Sequence, residues 1–431
     1  MCKCAYQRNK LNFKHKKCCK DQIKKYNGNT KKLSLGILDK NYAELNKNIN
    51  SMQIFLLFFK IGLTSFGPSM ITEIKKDIVK KLKWINEKEL FQGLALAQLL
   101  PGATFVSLSI YIGYKLKGLL GALASFVGFI FAPFFIMLML SLLYFKYENM
   151  VFLNVLFKGL EAVVTALILN ATWDLAKTTT SNIPTIIISV TAFIISVLYN
   201  NIFLILFISA FLGIIFIPKS TDDMKSTNVL KKTKIQWKNI IIICITILLF
   251  FILTAFNREL LSIAVAFFKI GALTFGNGFT MIPLIQQEVV NTHHWLSQNQ
   301  FMIGVALGQM TPGPVTITAT FIGYKVMGLI GAIVGTLSIY ASSFLFVVIT
   351  IGVYTKIKKY NWINSILSGL LSSFVGIMAL VVINTGRHTL SDIYTLILFV
   401  LSFIMLHFTK LDSKLIILGS TILYLIIFYL K

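Results

Sequence analysis

Long apolar runs separated by short polar connections occupy the chain from residue 52 to its end. They fall at about 52–71, 90–112, 118–145, 151–173, 183–199 and 202–217, then 239–256, then 260–285, 301–323, 328–354, 363–384, 392–408 and 413–430. Many reach the roughly 18 residues that span ~30 Å of hydrocarbon, and they are apolar on both faces rather than on one stripe. The predicted fold class is an all-α polytopic membrane protein. A hydrophobic content of 56% and a mean hydropathy of +0.77 lie far outside the range of a soluble domain and agree with it.

The runs repeat. Residues 58–62 and 267–271 both read FFKIG, each followed by a Phe-Gly break at Phe66-Gly67 and Phe275-Gly276. Gln98-Leu-Leu-Pro101-Gly102 is matched by Gln309-Met-Thr-Pro312-Gly313, and GYKLKGLLGA (113–122) by GYKVMGLIGA (323–332). This is one unit duplicated and fused, with interruptions at matching places, the pattern that marks a transport site in a membrane chain. Four parts are expected: a basic tail (1–51), a first repeat (52–217), a basic linker with a linking helix (218–259), and a second repeat (260–431). Six segments plus one linking segment turn the second repeat upside down relative to the first.

Charge sharpens the topology. Of 41 Lys and Arg, 13 lie in residues 1–51 against 3 acids, and the whole chain carries a net charge of +25. In a membrane chain the first explanation is Lys/Arg bias of cytoplasmic loops, not nucleic acid. The 72–89 connection carries Lys75, Lys76, Lys80, Lys81, Lys83 and Lys88, whereas its counterpart, 286–300, carries no Lys or Arg. Equivalent loops of opposite bias belong on opposite faces. The tail, the 72–89 loop and Lys115/Lys117 all belong in the cytoplasm, yet single segments separate them. Two arrangements remain open: thirteen simple crossings, or nine crossings with four re-entrant hairpins tipped at the Phe-Gly and Pro-Gly breaks. The second is strained by the charged 73–83 stretch and by Lys325. The tail is expected to be cytoplasmic and disordered, and the membrane to be the cell membrane.

Broken helices in mid-membrane leave backbone groups that only protein or a wet cavity can satisfy, and a helix starting there presents N–H groups and partial positive charge. Two such breaks in opposed repeats would make an anion site near the midplane. Hydroxyls flank the breaks at Thr64, Ser65, Thr104, Ser107, Ser109, Thr274, Thr316, Thr318 and Thr320. Lys60 and Lys269 stand at the same repeat position within apolar runs, so each is a candidate to face the anion; snorkelling to the interface is the alternative. Gln98 and Gln309 either donate to substrate or brace the Pro-Gly break. Glu161 is a candidate for proton coupling, with helix-face pairs Lys158–Glu161 and Asp174–Lys177 as the blander reading.

Other chemistry is thin. Cys2, Cys4, Cys18 and Cys19 lie in the tail without zinc-site spacing, Cys244 lies in an apolar run, and His293-His294 lack a third ligand. No metal, cofactor, catalytic triad or nucleotide-binding loop is expected, and the chain is not expected to be an enzyme.

The ordered motifs bring a family into view. Phe66-Gly67 followed by Trp84 and Ala97-Gln98-Leu-Leu-Pro101-Gly102, and Phe275-Gly276-Asn-Gly278, Ile282-Pro283-Leu and Trp295 followed by Gln309-Met-Thr-Pro312-Gly313-Pro314, resemble the chromate transporter family in its long, two-half form. The resemblance covers about residues 53 to 430. It implies a membrane transporter for chromate, with sulfate as a related anion, and places Gly67, Pro68, Pro101, Gly102, Gly276, Gly278, Pro312, Gly313 and Pro314 at the family's motif positions. Two departures stand out. The family's FGGP is here Phe66-Gly67-Pro68, one Gly short, and its first PGP is Pro101-Gly102-Ala103. The function expected is secondary-active transport of a tetrahedral oxyanion, chromate efflux first, with a passive anion channel as the alternative. Expected partners are that oxyanion and the lipid bilayer, with no nucleic acid and with room for a homodimer.

Overall fold

A computed structural model describes residues 49–67, 69–148, 150–199, 201–217, 237–276, 278–351, 361–409, 411 and 413–429. The tail with its four cysteines, most of the 218–238 linker, and Pro68 lie outside the described residues. Among the described residues the chain is helical without strands, and five helices are long and apolar enough to cross a membrane.

Each repeat opens with two helical hairpins. In the first, α1 (Ser51–Thr64) breaks at residues 65–67 and returns as α2 (Ser69–Ile74), which runs on as a π-helical stretch, Lys75–Lys81. The arms are antiparallel, because Lys60 reaches Asp77, 17 residues on, at 2.7 Å. In the second hairpin, α3 (Glu87–Leu99) breaks at 100–103 and α4 (Thr104–Tyr147) begins. Gly93 packs against Tyr111, and Lys115 pairs with Glu89 at 2.8 Å, so α3 and the first part of α4 also lie side by side. An Asn86 capping box, with both Asn86 and Glu89 bonded to backbone amides, fixes where α3 starts.

Helix α4 then doubles back. Lys117 and Gly118 leave helical geometry, with Gly118 at φ +59°, and Gly113 lies against the Gly121 carbonyl. The long arm, residues 119–147, extends about 43 Å at 1.5 Å per residue, enough to cross. Helices α5 (Val151–Thr179), α6 (Ile183–Leu198) and α7 (Ile202–Phe216) complete the repeat, and α8 (Trp237–Thr254) links it to the second.

The second repeat has the same plan. Helix α9 (Arg258–Leu273) breaks at 274–276 and returns through a short 3₁₀ turn (Gly278–Thr280), α10 (Met281–Gln286) and a π-helical stretch (Gln287–Thr292). Helix α11 (Gln298–Met310) breaks at 311–314 and returns through a 3₁₀ turn (Val315–Ile317) into α12 (Thr318–Ile351). Met327-Gly328 repeats the reversal of Lys117-Gly118. The 2.7 Å bond between Thr320 and Thr336, 16 residues apart, requires it. Helices α13 (Asn361–Thr389), α14 (Ile393–Phe408) and α15 (Ser413–Tyr429) close the fold.

The inversion can be read from contacts. The long arm of α4 starts beside Lys117, at the mouth of the first repeat's hairpins. It ends at Glu148, which takes Lys325 at 3.7 Å and Gln300 at 3.3 Å from the mouth of the second repeat's hairpins. The two sets of mouths therefore sit at opposite ends of one crossing helix. Helix α8 starts on the first side, where Asn239 donates to Tyr114. Among the described residues, nine helices or helix arms lie outside the four hairpins, five of them long enough to cross and four of 15–17 residues, and the paired hairpin arms favour the re-entrant arrangement over thirteen simple crossings.

The charged 73–83 stretch fits because it is paired. Asp77 is buried against Lys60 and lies 3.4 Å from Lys81, and Lys75 reaches Glu87 at 3.1 Å. Lys325 is held by Glu148 and stacks on Phe145 at 4.7 Å. Small residues bring the arms close: a Cβ on Gly62 would stand 2.3 Å from the Phe129 carbonyl oxygen, and one on Gly271 would stand 2.2 Å from that of Ile339. The FFKIG glycines are thus the contact points of α1 on α4 and of α9 on α12.

Candidate functional site

The four hairpin tips meet, and they meet crosswise. Gly313 N–H, at the second tip of the second repeat, donates to the Ser65 carbonyl at the first tip of the first repeat (2.9 Å), beside a single parallel bridge between Phe66 and Gly313. Reciprocally, Gly102 N–H donates to the Thr274 carbonyl (2.8 Å), and the Thr104 hydroxyl donates to the Gly276 carbonyl. The same bond is made twice with the repeats exchanged, which is a twofold relation centred on the breaks. The backing is reciprocal too. Gly102 presses on Ser343 in mid-α12, whose hydroxyl accepts from Ala103 N–H at 3.1 Å, and Gly313 presses on Pro133 in mid-α4.

Why these residues break here follows from backbone geometry. Gly67, Gly102, Gly276 and Gly313 have φ of +44°, +120°, +89° and +101°, which L side chains resist. A Cβ on Gly102 would also lie 2.1 Å from Ser343 Oγ, and one on Gly313 would lie 2.4 Å from Pro133 Cγ. At Gly67 nothing lies within 4 Å. The shortened Phe66-Gly67-Pro68 motif therefore keeps its turn and opens onto free space.

A hydroxyl has one proton to give, so a hydroxyl already donating to a carbonyl cannot also donate to an oxyanion. Thr64 donates to Lys60, Thr274 to Ile270, Thr316 to the Tyr340 hydroxyl, Ser109 to Val106 and Thr318 to Val315. Ser65 Oγ and Ser107 Oγ are fully buried, and among the described residues neither has a protein partner; nor has the buried Gln309 Nε2. Buried donors left open cost roughly 1–3 kcal/mol each, more reason to read them as poised for something else. The sequence placed Gln98 and Gln309 alike, but Gln98 is exposed and only Gln309 has an enclosed amide.

Lys60 and Lys269 lie on the hairpin arms rather than at the tips. Each pairs with a buried acid at equivalent repeat positions, Asp77 at 2.7 Å and Glu288 at 2.8 Å, and Lys269 also covers the Phe203 ring at 3.4 Å. The lysine side chains stay 56% and 41% exposed, whereas the acids are 4% and 6% exposed. Both acids sit on the π-helical stretches, a geometry frequent at functional sites. Sequence reasoning missed Asp77 and Glu288, although their offset of 211 is the repeat's own. It also missed Lys414, at the start of α15, whose ammonium lies 4.0 Å from the Phe66 ring. The blander pairs proposed for α5 are replaced: Lys158 bonds Asp392 at 2.7 Å rather than Glu161, and Lys177 stacks on Trp173. Glu161 is buried on α5. Among the described residues no cluster of three or more metal-ligating side chains occurs.

Fold and site define a multi-pass membrane protein of two inverted, broken-helix repeats. The family model described as "Chromate transporter" matches twice, over residues 52–214 and 261–425. An uncharacterized transporter of Methanocaldococcus jannaschii is 31% identical over 89% of this chain and 96% of its own length. A chromate transport protein of Cupriavidus metallidurans is 28% identical over 87% of this chain and 92% of its own. One from Pseudomonas aeruginosa is 26% identical over 78% and 81%. No solved structure matches. The chain belongs to the chromate transporter family.

Proposed function

We propose that the protein is a secondary-active exporter of a tetrahedral oxyanion, chromate foremost and sulfate as a related substrate. The anion is held where the four tips cross. The observation that carries this reading is the set of buried donors left open within a turn of the breaks, Ser65, Ser107 and Gln309. Neutral donors replace the hydration of an oxyanion without a fixed charge that would hold it permanently. Lys414 over Phe66 supplies positive potential at one flank. The names of the relatives from Cupriavidus and Pseudomonas support chromate as the substrate. The basic mouth of the first repeat supports the cytoplasm as the side of capture, and an anion leaves a negative-inside cell down the electrical gradient.

The test is flux of radiolabelled chromate and sulfate in proteoliposomes, each competed by the other, with and without an imposed pH gradient or potential. Coupled transport requires flux that follows a gradient. Flux that saturates weakly and ignores every gradient except its own would favour a passive channel. Neither anion moving in folded protein would remove the substrate assignment.

A further inference from the structure

Beside the returning arm of the first hairpin in the second repeat lies a cavity of about 160 Å³. It is lined by the ends of α6 and α7, by α10 and its π-helical continuation, by the first turn of α11 and by α13. Its polar lining includes Tyr199, Gln286, Asn291, Gln298, Asn384 and His388, and no Lys, Arg, Asp or Glu lines it among the described residues. Gln286 is 7% exposed and donates to Gln298 Oε1 at 2.8 Å, leaving the buried Gln298 Nε2 without a protein partner. Helix α13 ties this cavity to the tips. It passes Gly276 at Leu371 and reaches the cavity at Ile377, about 9 Å further along the axis.

The same register in the first repeat is charged. Gln286, Gln287, Asn291, Gln298 and Asn384 correspond to Lys75, Lys76, Lys80, Glu87 and Asp174. Duplication has therefore produced one mouth rich in lysine and one in which these five positions are neutral amides, next to the paired Lys269–Glu288 and Lys325–Glu148. A lysine-rich mouth concentrates anions by long-range attraction. Amide donors bind an anion through hydrogen bonds alone, so they favour its passage and let it go.

We propose that this cavity is a second oxyanion site, a neutral release vestibule between the crossing tips and the non-basic face. The inference rests on the proposed oxyanion transport. It assigns Asn384, Gln298 and Gln286 as its donors and explains why these register positions are amides in one repeat and charged in the other. Asn384 is exposed to the cavity, so a charge placed there leaves the packing intact.

The test uses the full chain in proteoliposomes, with sidedness scored by impermeant labelling of a cysteine at position 80, and radiolabelled sulfate and chromate as probes. Asn384→Lys should lower the half-saturating concentration for anion applied at the non-basic face about tenfold and slow net release. Asn384→Asp should raise it by a similar factor. Half-saturation at the basic face should move less than twofold in both. Wild-type flux with both variants unchanged at the non-basic face would overturn the vestibule while leaving the transport reading intact. No wild-type flux of either anion would remove the transport reading, and the vestibule with it.

Discussion

The crossing of the tips makes a demanding claim about Gly102. Its φ of +120° lies in a region that is essentially restricted to glycine, and a Cβ there would stand 2.1 Å from Ser343 Oγ and 3.0 Å from Ser343 Cβ. Backbone strain of this kind costs about 1–3 kcal/mol, and overpacking a filled site costs about another 1–3. Gly102→Ala should therefore destabilise by roughly 2–6 kcal/mol, or roughly 4–12 °C in Tm at about 2 °C per kcal/mol. Gly67→Ala is the control: φ is +44° and nothing lies within 4 Å, so it should cost only about 1–2 kcal/mol. Ser343→Ala removes the partner of Ala103 N–H, a loss of about 1–3 kcal/mol. It also removes the atom that an alanine at 102 would strike. The double variant Gly102→Ala/Ser343→Ala should thus be more stable than the sum of its parts by about 0.5–3 kcal/mol. The assay is thermal unfolding of purified protein followed by fluorescence-detected size exclusion, with anion flux measured on the same variants. Strict additivity, or a Gly102→Ala protein as stable as Gly67→Ala, would refute the packing argument.

Four further outcomes follow from the geometry. Lys60→Gln and Lys269→Gln should each weaken flux while the protein stays inserted. The exchange Lys60→Asp/Asp77→Lys should restore the hairpin's thermal stability but not flux if the ammonium itself faces the anion path, and full recovery of flux would reduce Lys60 to a structural partner of Asp77. Single cysteines at positions 80 and 291, in a background lacking the native five, should label from opposite sides of the membrane, and labelling from one side would reject the inverted repeat. Gly313→Ala, whose Cβ would lie 2.4 Å from Pro133 Cγ, should match Gly102→Ala in its loss of stability, since the two contacts are repeats of one another; a mild effect would break the twofold relation.

Much of this fold was legible because its signals are local or duplicated. Apolar runs gave the helices, the matched Phe-Gly and Pro-Gly pairs gave the breaks, and opposite loop charge gave the inversion. The returning arm of the first hairpin was harder to see, because its lysines read as a cytoplasmic loop. Only a structure shows Lys60 and Lys75 neutralised across the hairpins by Asp77 and Glu87. The cross-pairing of tips left no trace in spacing: Ser65 and Gly313 meet although they stand 248 positions apart, without any local pattern to join them. Equivalence misled where the repeats have diverged. Gln98 and Gln309 share a motif but differ in burial, and Lys414 has Phe203 as its counterpart, so a search for duplicated residues passes over it. Hydroxyl counting was likewise too coarse, because most of the threonines spend their proton on a carbonyl one turn away or on a neighbouring hydroxyl.

The central claim is that the crossing tips hold the oxyanion with Ser65, Ser107 and Gln309. Its most direct test is equilibrium binding of radiolabelled chromate to the purified protein, competed by sulfate, for the wild type and for Ser65→Ala, Ser107→Ala and Gln309→Leu. Each lost donor should weaken binding by about 5–30-fold, the equivalent of about 1–2 kcal/mol, with the folded protein unchanged in Tm to within a few degrees. Wild-type affinity in all three variants would place the anion elsewhere and contradict the account.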